Sequence, residues 1–241
     1  MGPTCGALGR RRSSPLNDPM TVSDWWNRTR YSLYAPVYDW VAKPLARGRQ
    51  RAIERLDLER GDRVLILGCG PGSDLDYLPE GVSVTAVDLS PAMIRRTEAR
   101  AETLGVDVDA RVGDARDLPF GDDTFDAVLL HLVLSVVPGA EQVATEADRV
   151  LAPDGRASIY DKFVPEGESP SLLRRALNPV TRFLFSDVTK QLGALLAETT
   201  LEVSDRESFL GGVYTVTVAR LANSEETGEA NRESSVSQRN R

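Results

Sequence analysis

The segment RVLILGCGPGSD, residues 63–74, decides the fold. Its first half is a short apolar run, which is typical of a strand buried on both faces of a parallel sheet. The run ends in Gly68, Gly70 and Gly72, which let the backbone turn sharply and approach a ligand with no Cβ in the way. A buried strand that leads directly into a glycine-rich loop predicts a ligand site at the carboxyl end of that strand.

The spacing of these glycines argues against a dinucleotide. The dinucleotide fingerprint is G-x-G-x-x-G, whereas here the glycines occupy every second position and Ser73 stands where the last glycine is expected. The short segment that follows contains Asp74 and Asp76, whose negative charges would repel a pyrophosphate bound at a helix N-terminus. The loop therefore favours an uncharged or zwitterionic ligand over a diphosphate.

Two carboxylates follow at the ends of the next two predicted strands. SVTAVD ends at Asp88, where a carboxylate can accept hydrogen bonds from both hydroxyls of a ribose. VDARVGD ends at Asp114, which can accept from the exocyclic amine of an adenine. Because parallel strands end at the same edge of a sheet, the loop and both acids predict a site for an adenosine without phosphate.

Strand-like and helix-like blocks alternate along the rest of the chain. Crossover helices between strands predict an α/β fold with a doubly wound, mostly parallel seven-stranded sheet and an antiparallel last strand. The predicted strands cover residues 63–68, 83–88, 108–114, 125–135, 156–163, 201–208 and 213–221. The predicted helical segments cover 23–56, 74–78, 92–104, 140–151 and 171–199, with a Pro153-Asp154-Gly155 turn before the fifth strand.

Composition sets the domain organisation and the classes of partner. The 241 residues, 41% hydrophobic and 27% charged, suit one globular domain over 21–221, with a helical cover at 21–60 and a substrate lid at 171–199. Polar segments at 1–20 and 222–241 are expected to be a disordered extension and tail. A net charge of −7 argues against nucleic acid as a partner. Two cysteines, without an apolar leader or membrane span, indicate a cytoplasmic protein.

In combination, five segments resemble the class I S-adenosylmethionine (SAM)-dependent methyltransferases, whose fold is Rossmann-like. They are VLILGCGPGSD, VTAVDLSPAMI, VGDARDLPF, FDAVLLHLVLSVVP and RVLAPDGR, in family order. The resemblance covers about residues 30–160, and YAPVYDW and SIYDKF make it closest to phosphatidylethanolamine N-methyltransferases and quinone-biosynthesis enzymes. It implies methyl transfer to an amine, a lipid headgroup or a quinone-like ring.

The resemblance also implies the cofactor-binding residues. The three loop glycines would contact the methionine part of SAM, while Asp88, followed by Leu89, would bind the ribose. Met93 would cover one face of the adenine, and Asp114 and Ala115 would hold its edge. Tyr38, just ahead of the domain, would help to close the pocket.

Methyl transfer from a sulfonium requires alignment and exclusion of water rather than a metal, a triad or a reactive cysteine. No metal site is therefore expected, and Cys69, between two loop glycines, is interpreted as a packing residue. His131, expected to face the cleft from the end of strand four, is a candidate general base for an amine acceptor. Asp161 is a second candidate, with a surface carboxylate paired with Lys162 as the alternative.

Two alternative functions stay open at this point. A NAD-dependent reductase would need the missing fingerprint, while a non-catalytic SAM-binding protein would share every cofactor residue. The amphipathic, Arg-containing segment 171–185 fits either a peripheral membrane contact or an ordinary lid helix.

Overall fold

A computed structural model describes residues 45–164, 189–209 and 212–222. The helices are α1 (Ala46–Glu54), α2 (Pro91–Leu104), α3 (Ala140–Val150) and α4 (Leu192–Leu196), with one 3₁₀ turn at Leu75–Tyr77. The strands are β1 (Arg63–Leu67), β2 (Ser83–Asp88), β3 (Val108–Val112), β4 (Phe125–His131), β5 (Leu151–Asp161), β6 (Leu201–Phe209) and β7 (Tyr214–Leu221).

The seven strands form one sheet in the order β3-β2-β1-β4-β5-β7-β6. Strands β1 to β5 pair in parallel, and β7 runs antiparallel to both β5 and β6. The predicted α/β sheet with an antiparallel last strand is thus confirmed. The chain order reverses between β1 and β4, and the crevice at the carboxyl ends of these two strands is where such sheets bind ligands.

Helices cover both faces of the sheet. One face packs against α1 and α2, through buried residues such as Ile53 and Ile94. The opposite face packs against α3 and α4, through Val143 and Leu192 among others. The central strand β4 is buried at nearly every position, as the apolar run FDAVLLH predicts for a strand covered on both sides.

Local chemistry sets the bounds of α2. Pro91 occupies the first turn of the helix, where a backbone N–H would have no partner within the helix, and Ser90 precedes the helix in an extended conformation. The helix ends at Gly105, which adopts a left-handed φ of 69°. The N–H of Val106 then donates to the carbonyl of Ala101 at 3.0 Å, which closes the last turn.

Two predicted strand bounds are wrong. Strand β4 ends at His131 rather than at residue 135, because Leu132 has a left-handed φ of 59°, which is incompatible with a continuing strand. Strand β5 begins at Leu151, so the predicted Pro153-Asp154-Gly155 turn lies inside the strand, where the register against β4 shifts. A bulge therefore replaces the expected separate turn.

Among the described residues, none of the helices is both long and apolar enough to cross a bilayer. Tyr38, most of the cover at 21–60, and the segment 171–185 lie outside the described residues.

Candidate active site

The glycine-rich loop leaves β1 at the crevice and has the backbone that the sequence predicts. Gly68, Gly70 and Gly72 have φ values of 64°, 55° and 78°, a region that other residues rarely adopt. A Cβ on Gly72 would lie 3.1 Å from the Cα of Thr97 in α2. The hydroxyl of Thr97 donates to the carbonyl of Gly70 at 2.8 Å, so α2 holds the loop in place.

Asp88, at the end of β2, faces this loop. Its carboxylate accepts the N–H of Gly70 at 2.9 Å on one oxygen and the N–H of Ser90 at 2.8 Å on the other. Burial raises the pKa of Asp88, and these two backbone hydrogen bonds only partly offset the increase. Each oxygen retains an acceptor lone pair, so the carboxylate can accept two more donors. This capacity matches the two hydroxyls of a ribose.

Asp114 lies beside Asp88, as predicted, because the N–H of Gly113 donates to the carbonyl of Asp88 at 3.1 Å. The guanidinium of Arg116 donates to both carboxylate oxygens of Asp114, with its Nη2 at 2.6 Å. Burial raises the pKa of Asp114, but the Arg116 hydrogen bonds outweigh that effect and hold the pKa below its ordinary value. Any adenine amine must share this carboxylate with Arg116. This ion pair was not predicted from the sequence, although Arg116 follows Asp114 by only two residues.

The other predicted cofactor residues line the same edge of the sheet. Met93 is buried in the first turn of α2, where its N–H donates to the carbonyl of Ser90 at 3.0 Å. Leu89 is half-buried in the turn that connects Asp88 to this helix. Ala115 is half-buried and packs against the apolar cluster on the α3 side of the sheet. Their contacts with a cofactor stay predictions.

Cys69 is a packing residue in the structure. Its side chain is buried, and its Sγ lies 3.4 Å from the Oγ1 of Thr97. Burial, together with the nearby charge of Asp88, raises the pKa of the Cys69 thiol to about 12. Because the thiolate is the reactive form, this cysteine is not a nucleophile near neutral pH.

A buried polar network joins the loop to α1 and to two central strands. Arg49 of α1 donates to one oxygen of Asp74 at 2.7 Å, and the Nδ1 of His131 lies 2.7 Å from the other oxygen. The Nε2 of His131 is 3.0 Å from the hydroxyl of Ser158 in β5, which also lies 3.2 Å from the carbonyl oxygen of Ala52. Burial alone would raise the pKa of Asp74, but Arg49 and His131 outweigh it and hold that pKa well below its ordinary value.

The expectation that His131 faces an open cleft is therefore wrong. Its side chain is fully buried, and both ring nitrogens lie within hydrogen-bond distance of neighbours in the network. No pattern in the sequence predicts this arrangement, because Arg49, Asp74 and Ser158 lie in separate elements. In this geometry His131 connects elements of the fold, and its role as a general base stays a prediction that the structure does not favour.

Asp161 is also buried, rather than the surface carboxylate of the alternative reading. One oxygen accepts the N–H of Ser135 at 2.8 Å, and the other accepts the backbone N–H of Lys162 at 2.8 Å. The expected pairing with the Lys162 side chain is thus replaced by a backbone hydrogen bond. Asp161 supports the loop after β4, and its catalytic role is untested.

The residues present fit SAM. Three glycines remove side-chain bulk from the loop, and Asp88 keeps two acceptor positions for a ribose. In the described part of the chain, no group of three or more His, Cys, Asp or Glu residues could hold a metal ion.

Comparisons with known proteins agree with this geometry. Residues 65–159 match the model of a family described as a methyltransferase domain. The phosphatidylethanolamine N-methyltransferase of Cereibacter sphaeroides is 30% identical over 182 residues, which are 74% of this chain and 90% of that protein. The 2-phytyl-1,4-naphtoquinone methyltransferase of Synechococcus elongatus is 38% identical over 143 residues, which are 54% of this chain and 61% of that protein.

Among solved structures, the 4+2 cyclase SpnF covers 84% of this chain and 98% of its own, with a TM-score of 0.71. At 19% sequence identity this likeness shows the fold alone. Fold and relatives together define a methyltransferase, and the residues at the ends of β1, β2 and β3 fit its cofactor. The chain belongs to the class I SAM-dependent methyltransferases, and SAM is its cofactor.

Proposed function

We propose that the protein transfers the methyl group of SAM to a small-molecule or lipid-headgroup acceptor, with an amine as the favoured methylated group. The observation that carries this proposal is the relative named phosphatidylethanolamine N-methyltransferase, because the match spans 90% of that protein and extends beyond the cofactor half of the domain. The acidic net charge of −7 supports a small molecule or lipid over nucleic acid.

The chain's own part in the reaction is binding and alignment. SAM supplies a methyl group on a positively charged sulfur, so the leaving group needs no further activation. The loop from Gly68 to Gly72 gives close backbone approach, and Asp88 is set to orient the ribose. Holding the donor in one orientation removes much of the entropic barrier to a bimolecular displacement.

An amine acceptor must also lose a proton before it can attack. Both predicted bases are buried, but Asp161 keeps one acceptor position on each oxygen beyond its two backbone hydrogen bonds, so it needs the smaller rearrangement to take a proton. His131 would first have to leave Asp74 and Ser158. We therefore favour Asp161, or a water next to it, as the proton acceptor.

Two other functions stay as alternatives. Methylation of a quinone ring carbon is favoured by the 38% identical naphtoquinone methyltransferase, although this chain spans only 61% of that relative. A non-catalytic SAM-binding protein would share every cofactor residue, since one fold can host unrelated functions. Turnover distinguishes all three.

The test is release of S-adenosylhomocysteine from SAM with two acceptors offered separately: vesicles that contain phosphatidylethanolamine, and a naphthohydroquinone in detergent. We expect release with the vesicles, and a large loss of it in Asp88→Asn. Release with the hydroquinone alone would favour the ring methyltransferase. No release with either acceptor, from a protein that binds SAM, would contradict the proposed function.

The remaining proposals concern the surroundings of the protein. We infer a cytoplasmic location from the two cysteines and from the apolar patterning of the sequence. A peripheral membrane contact through residues 171–185 would bring the site to a lipid acceptor, because this segment combines Leu and Phe with Arg. Vesicle co-sedimentation with and without anionic lipid tests that contact.

A further inference from the structure

Lys162 stands at the ligand edge of the sheet, directly after the end of β5. Alternate residues of a strand share one face, so Ser158, Tyr160 and Lys162 follow one another on the same side. Ser158 lies against His131 in the buried network, and Tyr160 packs in the apolar cluster formed with Leu45 of the α1 side. Lys162 is therefore the member of this series that lies nearest to the carboxyl edge of the sheet, where the acceptor must approach.

The Lys162 ammonium is half-buried and has an aromatic neighbour. It lies 5.6 Å from the ring centroid of Tyr214, and that ring lies 5.7 Å from the ring of Tyr160. Leu132, with its left-handed backbone, packs against the same cluster. The Lys162 ammonium, Tyr214 and Leu132 thus lie at the edge of the sheet where β4 and β5 end and β7 begins, above the buried ring of Tyr160.

Within residues 45–164, 189–209 and 212–222, this ammonium has no carboxylate partner. The oxygens of Asp161, the nearest acid in sequence, accept the backbone N–H groups of Ser135 and Lys162 instead. Lys190 provides the contrast, because its ammonium donates to the carbonyls of Leu134 and Val137 at 2.7 and 3.1 Å. Lys190 is thus held by hydrogen bonds to the fold, whereas the Lys162 ammonium has an aromatic neighbour in place of such hydrogen bonds among the described residues.

A partly desolvated cation without a counter-ion raises the free energy of the folded state. Burial lowers the pKa of Lys162, and the charge of Asp161 only partly opposes that change. A cation–π contact with Tyr214 compensates for part of the lost hydration. An anion that binds beside Tyr214 would supply the missing partner.

We infer that Lys162 binds a phosphate oxygen of the acceptor beside the ring of Tyr214. This inference rests on the proposed function, and it adds that the methylated group is carried on a phosphorylated molecule. The phosphate belongs either to a lipid headgroup or to a soluble phosphorylated amine. An ammonium offers three hydrogen-bond donors to such a group. Because Lys162 lies apart from the cofactor residues Asp88 and Gly70 along the sheet, we assign it to the acceptor rather than to SAM.

The test is calorimetric binding in the presence of S-adenosylhomocysteine, so that it does not depend on turnover. The probes are phosphoethanolamine, vesicles that contain phosphatidylethanolamine, and ethanolamine as the probe without phosphate. The variants are Lys162→Met, Lys162→Gln and Lys162→Arg, and Arg95→Met on the exposed face of α2 is the matched control. Melting temperature and affinity for S-adenosylhomocysteine show whether each variant is folded.

We expect the wild-type protein to bind at least one phosphate probe more tightly than ethanolamine. Lys162→Met and Lys162→Gln should weaken that binding by about tenfold or more, because a hydrogen bond to a charged group is lost. Lys162→Arg and Arg95→Met should stay within about threefold of wild type, and affinity for S-adenosylhomocysteine should not change. Tight binding of phosphoethanolamine assigns a soluble acceptor, and binding of the vesicles alone assigns a lipid.

Equal binding of the phosphate probe by wild type and Lys162→Met would overturn the inference, as would a wild-type protein that binds neither probe. Failure of the proposed function has a different signature. Suppose that the protein binds phosphoethanolamine through Lys162 but never releases S-adenosylhomocysteine with either acceptor. The anion site would then be supported, and the proposed function would be contradicted. Equal turnover of a phosphorylated acceptor by wild type and Lys162→Met would remove the anion site alone.

Discussion

At the scale of single residues, the site depends on two carboxylates whose partners differ. Asp88 accepts two backbone N–H groups from the segments it connects, and Asp74 lies between Arg49 and His131. Burial pushes the pKa of both acids upward, but only Asp74 has a cation close enough to reverse that effect. Asp74 therefore contributes to stability, whereas Asp88 keeps an acceptor position on each oxygen for the ribose that we expect it to bind.

Replacing Asp74 tests this contribution and its pH dependence. Asp74→Asn leaves Arg49 buried without its counter-ion, so the free energy of unfolding at pH 7 should fall by about 3–5 kcal/mol. The pKa of Asp74 is lower in the folded than in the unfolded chain. The contribution is thus complete above the unfolded value of about 3.9 and is lost as the pH falls towards the folded value.

Urea unfolding of wild type and Asp74→Asn at pH 7, 5 and 3 measures the effect. Asp76→Asn is the control, since Asp76 makes a surface pair with Arg100, and such pairs contribute about 0–1 kcal/mol. A difference between wild type and Asp74→Asn that is as large at pH 3 as at pH 7 would disprove an ionic origin.

At the scale of elements, the crossing of α1 over β5 holds the N-terminal helix on the sheet. Gly48 lies against the ring of the fully buried Tyr160, and no larger residue fits between them. Arg51 and Arg55 extend the contact to the edge of the sheet, where they pair with Glu207 and Asp205 of β6. The buried glycine contact decides the position of the helix, because surface pairs are weak.

Gly48→Ala should separate α1 from β5, since a Cβ at position 48 would overlap the Tyr160 ring. We expect overpacking to lower the free energy of unfolding by about 1–3 kcal/mol, measured by urea denaturation. Gly121→Ala is the control, because its Cβ would make an ordinary contact at 3.6 Å from the Oγ1 of Thr124. If both substitutions change the free energy of unfolding by the same small amount, the close approach of Gly48 to Tyr160 does not determine the position of α1.

The sequence also predicts most elements, and the exceptions have local causes. Strand β2 matches its prediction at both ends because an apolar run terminates in a charged residue on the ligand edge. The end of β4 was missed because Leu132, a residue that normally continues a strand, adopts a left-handed φ. The start of β5 was missed because Pro153 and Gly155 usually mark a turn, and a bulge accommodates them here.

At the scale of the whole molecule, the sequence could predict that the loop, Asp88 and Asp114 come together, but not the network beneath them. The loop, Asp88 and Asp114 each follow a strand, so a parallel sheet brings their positions together without further information. Arg49, Asp74, His131 and Ser158 come from separate elements and show no periodic spacing, so only the folded chain reveals their hydrogen bonds. The same holds for Lys162 beside Tyr214.

Affinity for SAM in Asp88→Asn tests the central claim most directly, which is that adjacent strand ends bind a nucleoside through its ribose. Calorimetric titration should give a dissociation constant at least tenfold higher than in wild type, because the hydrogen bonds of a ribose to a charged carboxylate contribute about 1.5–3 kcal/mol. The exposed control Asp107→Asn should match wild type. Unchanged SAM affinity in a folded Asp88→Asn protein would contradict the assigned site.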